Sequence, residues 1–513
     1  PASATLTSTD PHYWTNRKDI TVTAWWPYTA GETTPSAVKV KANQSARKDF
    51  EGSDLIVAEE QTVSYGNPTL RFTHGTARVT VVLTDYTEEQ MFVRLTGLST
   101  ENGNPAQIIP YDKGNDTYTA LVAPQSVATG TAFITCKFTN GKVFVYKMKN
   151  DTDWQAGEEY TYTVSLAAAE DPGYTIEGDG SYTVTTADGL KNVAKLVNEE
   201  GKTDINITLD TDLTLTGEWT PIGTYDNPYT GTFNGKDKTI TGLTVTGSNE
   251  YAGLFGRIGS GGTVKNVVLK DVQIESDNQY GCVGGVAGNS NGDIENCSVS
   301  GSVSSRCTAG GVVGWQYSGS ITLCGSSATV KGTGEVGGVA GKTDNRATLT
   351  ACYATEDVTF ERASTINTFA GGVVGFNGTG SILTACYATG NVTGTGTGTG
   401  SCYVDGVTGD NASGTLTACY HATGTVSGPV EATGGVTGRN YNALGAPVIT
   451  ACYWGSNPNT GIGENQAGTT DGTTKVTDGN WTEAMNAMNA ALQSAGSEWR
   501  YELTGALPTL KKQ

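Results

Sequence analysis

Basic residues, histidine and long apolar runs are all scarce in this 513-residue chain, and each shortage removes a class of function. Lys and Arg total 32 against 51 Asp and Glu, a net charge of −19, so no basic footprint for a nucleic-acid backbone is expected. No run of 18 apolar residues occurs, and no segment reads as a membrane-spanning helix. Only three histidines are present, His12, His74 and His421. None begins an H-E-x-x-H, and without a C-x-x-C pair no Cys/His zinc spacing can be assembled, so no metal or cofactor is expected. The TGTGTGTG run at 393–400 lacks the Lys-Ser/Thr of a phosphate loop and reads as a flexible loop projecting from one repeat. Calcium-binding nonapeptide repeats are missing. The repeated strands are mostly Gly, Thr, Ser, Ala and Val, without the clustered Asp, Glu, Lys or Arg that a polysaccharide lyase or hydrolase needs. The chain reads as a non-enzyme with no catalytic residues. It opens at Pro1 with neither an initiator Met nor a signal peptide, as after removal of a leader or a start downstream of one.

What is abundant is glycine, 69 residues of it, in a chain rich in Thr, Val and Tyr. That profile predicts β-structure with tight turns, and the length suggests two to four domains. GGVAG, GGVVG or GGVTG recurs at 284–288, 310–314, 337–341, 371–375 and 434–438, with weaker copies at 253–256 (GLFG) and 406–409 (GVTG). Six cysteines recur in step: Cys297, Cys324, Cys352, Cys386, Cys419 and Cys452. Units of this length, each able to bury its apolar side only against its neighbours, predict a parallel β-solenoid, one coil of three short strands per repeat. In 310–333 the strands are GGVVG with Val312 inward, SITLC (320–324) and SATV (327–330), the glycines turning corners. Stacked about 4.8 Å apart, such strands align Ile294, Ile321, Leu349, Leu383, Leu416 and Ile449 in one ladder and the six cysteines in another. The cysteines are either small buried thiols filling the interior or disulfides between coils, which would need distortion because aligned side chains point in parallel. Cys282, Cys307 and Cys402 stand off that ladder, with a Cys282–Cys307 bridge as one reading, and Cys136 has no evident partner.

Residues 1–166 differ. DITVTAWW (19–26), ARVTVVL (77–83), AFITCKF (132–138) and KVFVYKM (142–148) alternate as antiparallel strands, with TNGK (139–142) as a hairpin turn. AAAEDPGYTIEGDG (167–180) marks a linker. A helix is expected at 187–200, with Leu190, Val193, Leu196 and Val197 on one face. Another begins near Thr482 as N-cap, with Met485, Met488 and Leu492 as its stripe, before a short ALPTLKKQ tail.

Two resemblances are carried by specific residues. GLFG at 253–256, the GGVxG cores, CYAT at 352–355 and 386–389, WTPIG at 219–223 and GTFNG at 231–235 resemble the GLUG motif of bacterial surface proteins, including regions flanking IgA-specific metalloproteases. DITVTAWWPY (19–28), SDLIVAEEQTV (53–63), LRFTHGTARVTVVL (70–83), VAPQSV (122–127) and WQAGEEYTYTVSL (154–166) resemble, in order and spacing, the fimbrillin family of Bacteroidetes. The implied fold is all-β: two transthyretin-like β-sandwiches, the first incomplete, then a GLUG β-solenoid with short helical caps. The implied boundaries are 1–66 and 67–166 for the sandwiches, 167–180 for the linker, 181–480 for the solenoid and 481–513 for the C-terminal cap and tail.

The fimbrillin resemblance implies an exported protein at the cell surface or outer membrane of a Gram-negative bacterium. It implies a groove, opened by removal of the first strand, that accepts a donor strand from another pilin subunit. With more than 300 residues following TYTVSL, where a polymerising subunit would donate its own strand, the expected role is adhesion as a minor or tip subunit presenting the solenoid outward. The alternatives are an exported glycan-binding or glycan-processing solenoid on a fimbrillin-type anchor, and a structural spacer. The residue after each glycine core varies: Asn289, Trp315, Lys342, Phe376, Asp410 and Arg439. Trp315, Tyr317 and Phe376 are the candidates for contacting a glycan or protein ligand, against the plainer reading that they cover strand ends.

Overall fold

In the computed structural model the described residues are 14–85, 91–138, 143–166, 172–177, 179–361, 367–395, 400–428 and 433–513. The chain divides into two units, Pro1–Pro172 and Gly173–Gln513. The expected turn at 139–142 lies outside the described residues, although the strands it would join, Ala132–Phe138 and Val143–Lys147, do pair antiparallel.

In the first unit, Ala77–Thr84 lies between Thr117–Val122, antiparallel, and Glu159–Ser165, parallel, with Tyr111–Gly114 beyond. A second sheet orders Val143–Lys147, Ala132–Phe138 and Met91–Leu95. Alternation puts Val79, Val81, Ala120 and Val122 of one sheet into a common core with Val93, Leu95, Ile134 and Cys136 of the other. The segment around Val38–Gln44 joins that core, although it precedes the expected boundary at 66. Val40 is buried in it, and the Gln44 amide pairs with both the N–H and the C=O of Leu121, each at 2.8 Å.

Besides a two-stranded pairing of Gln125–Val127 with Thr152–Trp154, this unit has a three-stranded sheet, Ile20–Trp26, Ile56–Val63 and Thr73–His74, with Ile20–Trp26 at an edge. Ala58 and Val63 are buried, but Ile20, Trp26, Tyr28, Tyr65 and Phe72 are exposed, and no hydrophobic cluster of the described residues forms on this sheet. Among the described residues, much of its apolar surface is left without a facing layer.

The second unit opens inside the stretch read as a linker: Tyr174–Ile176 pairs antiparallel with Tyr182–Val184, and its side chains reach the solenoid core. The helix Ala187–Asn198 is capped by Thr186 Oγ1, which accepts from the Gly189 N–H at 3.0 Å, and it buries Leu190, Val193, Leu196 and Val197. Parallel strands then stack in register. Ile294, Ile321, Leu349, Leu383, Leu416 and Ile449 form one continuous buried ladder.

A coil contains four strands rather than the expected three. Thr308–Gly310 and Val313–Gln316 belong to different sheets, and the chain bends between them. A Cβ on Gly310 would lie 2.0 Å from Val313 O, and one on Gly311 would lie 2.1 Å from Gly338 O, so in this coil glycine allows the bend and the backbone contact between coils. Val312 points into the core at that bend.

The opposite corner is turned without glycine. Asn296, Leu323, Ala351, Ala385, Ala418 and Ala451, each just before a ladder cysteine, have φ between +49° and +57°. The following thiol supports this left-handed residue: Cys324 Sγ donates to Thr322 O at 3.4 Å and to Ile294 O of the preceding coil at 3.6 Å. All six ladder cysteines are buried and unbridged. Thr393–Thr395, the first part of the TGTGTGTG run, continues a strand, and 396–399 lie outside the described residues.

At the C-terminal end, Trp481 and not Thr482 occupies the N-cap of the helix Thr482–Ser494. Its side chain makes no capping bond, and the Thr482 N–H is taken by Asn480 Oδ1 at 3.0 Å. The tail is a strand, Pro508–Lys512, paired antiparallel with Trp499–Leu503. This helix and hairpin lie along the flank of several coils: Trp481, Met488, Leu492, Trp499 and Tyr501 pack on Ala351, Ala385, Ala418 and Tyr420. Tyr353, Tyr387 and Tyr420 stack beneath them at 5.4 and 4.9 Å, and Tyr501 donates to Ala418 O at 2.9 Å.

Candidate functional site

The position after each glycine core forms a single outward column of the eight-stranded sheet. Arg257, Asn289, Trp315, Lys342, Phe376, Asp410, Arg439 and Glu464 stand opposite one another from coil to coil. A second column, two residues before the glycine pair, runs alongside it on the six-stranded sheet and includes Cys282, Thr308, Glu335, Phe369 and Tyr403. In-register stacking makes neighbours of residues about 30 positions apart, which is why both columns act as surfaces.

Trp315 and Tyr317 meet edge to face at 5.5 Å. Phe376 joins them through Lys342, whose ammonium lies 4.9 Å from the Trp315 ring and 5.2 Å from the Phe376 ring. A face of each ring is therefore occupied by a neighbour in the column, and only Tyr317 of the three expected residues is well exposed. Trp315 Nε1 is buried without a hydrogen-bond partner among the described residues.

The C-terminal half of the two columns closes on itself. Phe369 and Phe376 meet at 5.6 Å, and Arg439 lies 5.2 Å from each of the Phe369 and Tyr403 rings and 5.1 Å from that of Tyr441. Tyr403 donates to Glu464 at 2.9 Å. The fully buried Asp410 is clamped by both Arg439 Nε, at 3.1 Å, and an Arg439 terminal nitrogen. Burial raises the Asp410 pKa, and Arg439 offsets part of that rise.

The N-terminal half is more open. Arg257 lies 4.7 Å from the ring of Tyr225, which is 67% exposed, and Tyr280 and Tyr317 are also exposed. Arg257, Tyr225 and Tyr280 were not among the expected residues. Arg257 was findable as the residue after GLFG, whereas Tyr225 and Tyr280 lie in loops with no repeat signal.

Two buried titratable groups lie away from both columns. Asp405 occupies the position held by Gly310, Gly337, Gly371 and Gly434 in other coils. One carboxylate oxygen accepts from the Gly434 N–H, the other has no partner among the described residues, and burial raises its pKa well above the usual range. His421 is fully buried with Nε2 2.9 Å from Gly390 O, and burial lowers its pKa to about 4. Gly-Asn-Ser-Asn-Gly at 288–292 has the letters of a nucleophile elbow, but Ser290 ends the strand Ala287–Ser290 instead of entering a helix. Its buried hydroxyl engages only the backbone of Gly292. Among the described residues no group of three His, Cys, Asp or Glu could hold a metal ion, and no helix is long and apolar enough to cross a membrane.

Residues 2–188 match the fimbrillin-like family and residues 279–304 match the GLUG motif. Among curated proteins the chain is similar to Halomucin of Haloquadratum walsbyi, 42% identical over 91 residues, which is 17% of this chain and 1% of that protein's length. Among solved structures it is similar to a provisionally assigned immunoglobulin A1 protease from Bacteroides ovatus. There the TM-score is 0.41 and the identity 16%, over 67% of this chain and 95% of that one. A fimbrial protein from Bacteroides ovatus is similar over 32% of this chain and 39% of its own, with a TM-score of 0.20 and 17% identity. The protein therefore carries an N-terminal fimbrillin-like region followed by a β-solenoid that contains the GLUG motif.

Proposed function

We propose that this protein serves in adhesion at the bacterial cell surface, as a minor or tip subunit of a fimbria. In this reading it accepts a donor strand from another pilin subunit and presents the solenoid to its ligand. The observation that carries the reading is the three-stranded sheet of the first unit, whose edge strand Ile20–Trp26 has no pairing strand on one side among the described residues and whose Ile20 and Trp26 are exposed at 48% and 56%. A strand added beside Ile20–Trp26 would satisfy that edge and extend the apolar face toward a complete layer. The fimbrillin-like match supports a surface location, pilin partners and a non-enzymatic structural role. The test is a cysteine placed at Thr23 for crosslinking in fimbriated cells, together with immunogold labelling. Crosslinks to a pilin and gold at filament ends are expected. Gold along the shaft would refute the tip position, and the absence of any pilin crosslink would refute acceptance of a strand.

A glycan is the ligand class favoured for the solenoid, because Tyr225 and Tyr317 expose aromatic surface beside Arg257 and Asn289 on adjacent coils. A panel of mucin and plant glycans, assayed for binding and for cleavage, separates the readings. Binding without products supports adhesion, and products would make the solenoid a glycan-processing one. Unchanged partner interactions after substituting Tyr225 and Tyr317 would make it a spacer.

A further inference from the structure

We propose that Cys282 and Cys307 form a disulfide that staples two adjacent coils when the protein is exposed to a thiol oxidant. Cys282 pairs with Thr308 across neighbouring parallel strands. That spacing is about 4.8 Å, which brings the Cα of the adjacent Cys307 within the roughly 4.4–6.8 Å that a disulfide spans. Both thiols converge on one hydroxyl: Thr308 Oγ1 is 3.6 Å from Cys307 Sγ and is also a hydrogen-bond partner of the Cys282 thiol. Rotation about the two Cα–Cβ bonds, with Thr308 Oγ1 released, is the movement needed to bring the sulfurs together. Other anchors hold the backbone in place. The Cys307 N–H donates to Ser305 Oγ at 3.0 Å, the Cys307 carbonyl accepts from Gly334 of the next coil at 3.0 Å, and Thr308 N–H donates to Gly281 O at 3.0 Å.

The contrast with the ladder cysteines sharpens the assignment. Each of those six thiols sits in register above the next and donates to a carbonyl two residues earlier, as Cys386 does to Thr384 O at 3.4 Å and Cys419 to Thr417 O at 3.5 Å. Those carbonyl bonds hold the sulfurs parallel, in the closed interior. Cys282 and Cys307 are instead at the outer side of the coil, where Cys307 is only half-buried.

The chemistry is a thiol–disulfide exchange with a disulfide-bearing oxidant such as oxidised glutathione. The Cys307 thiol loses its proton and its sulfur attacks one sulfur of the oxidant, breaking that S–S bond and releasing one thiolate. The Cys282 sulfur, after losing its proton, attacks the Cys307 sulfur of the mixed disulfide and expels the second thiolate. Two protein thiols thus give up two electrons and two protons, and the oxidant disulfide is reduced to two thiols. The half-buried Cys307 is the sulfur the oxidant reaches first. Burial raises both thiols, Cys282 up to about 12, so exchange is slow at neutral pH and speeds as pH rises, and the second step depends on its partner being already in place.

The staple links the same two coils that carry the Asn289–Trp315 pair of the outward column, where a pulling force on bound ligand would tend to separate them. The test is intact-mass and non-reducing peptide mapping of the folded full chain after exposure to oxidised glutathione, with free thiols alkylated in denaturant. The expected result is a loss of the mass of two hydrogens, eight alkylated cysteines and one crosslinked peptide joining Cys282 to Cys307. Cys307→Ser is expected to abolish both the mass change and any lowering of the melting temperature by reductant, while leaving the reduced protein's melting temperature unchanged. Ten alkylated cysteines after oxidation, or a crosslink joining any other pair, would overturn the proposal.

Discussion

The sheet of residues 20–74 and the solenoid are both built from short alternating strands, yet they cover their apolar faces in opposite ways. In the solenoid, coils stack in register around a shared interior, so Leu349 and Leu383 are fully buried among equivalent apolar neighbours. In the first sheet, Ile20 and Trp26 find no such neighbour and remain about half exposed. A repeated sequence supplies its own partner, whereas a sheet whose strands occur once depends on another segment. Under the proposed function, the difference separates a part that persists alone from a part that a second subunit completes.

The most damaging way to probe the self-covered half is to open its ladder. Leu383→Ala removes a side chain in contact with coils on both sides and is expected to destabilise the solenoid by about 2–5 kcal/mol, read by denaturant unfolding followed by circular dichroism. A pH titration probes the same region more gently. His421 is held below its ordinary value, near 4, so stability is fully present above the unfolded value of about 6.5 and is lost as pH falls toward 4. The loss should reach about 3 kcal/mol and disappear in His421→Gln. Asp405 runs the other way. Its raised pKa favours the folded state below the unfolded carboxyl value of about 3.9, and that advantage is lost as pH rises. Asp405→Gly, which restores the glycine of the other coils, should therefore stabilise by about 1–3 kcal/mol at pH 7 and by little at pH 4. Melting curves at the two pH values check this.

The smallest expected stability effect belongs to the uncovered sheet, and it sharpens the comparison. Trp26→Ser should change the unfolding free energy of the isolated protein by only about 0.5 kcal/mol, because more than half of the side chain is already exposed. It should nonetheless reduce incorporation into filaments, measured by recovery in the fimbrial fraction. Incorporation at the unaltered level would mean that this face is not the acceptor.

Much of the solenoid was legible because its register equals its repeat. The positions of Ile294, Ile321 and Leu349, or of Cys324 and Cys352, follow from counting along the chain, and the structure stacks them accordingly. The fourth strand was not legible, because the Gly310–Gly311 bend looks in sequence like the middle of a strand. Nor was the left-handed corner at Ala351 or Ala385: alanine carries no turn signal, and the supporting contacts come from the following thiol and the coil before it. The position of the C-terminal helix and hairpin depends on Trp481 and Tyr501 meeting a tyrosine stack assembled from three separate repeats, a contact with no local pattern. In the outward columns the variable position was identifiable, but the identity of its neighbours was not. Trp315 and Phe376 are both covered by Lys342 because coils stack vertically, and the pairing of Asp410 with Arg439 arises across 29 residues for the same reason.

Hydrogen–deuterium exchange, followed by mass spectrometry on the isolated protein and on the protein in purified fimbriae, tests the central claim most directly. The account predicts that amides of Ile20–Trp26 exchange rapidly in the isolated protein and slowly in the filament, while those of the stacked strands such as Ile382–Thr384 are protected in both. Equal exchange of Ile20–Trp26 in the two samples would contradict it, because a strand that gains no protection on assembly has accepted no partner.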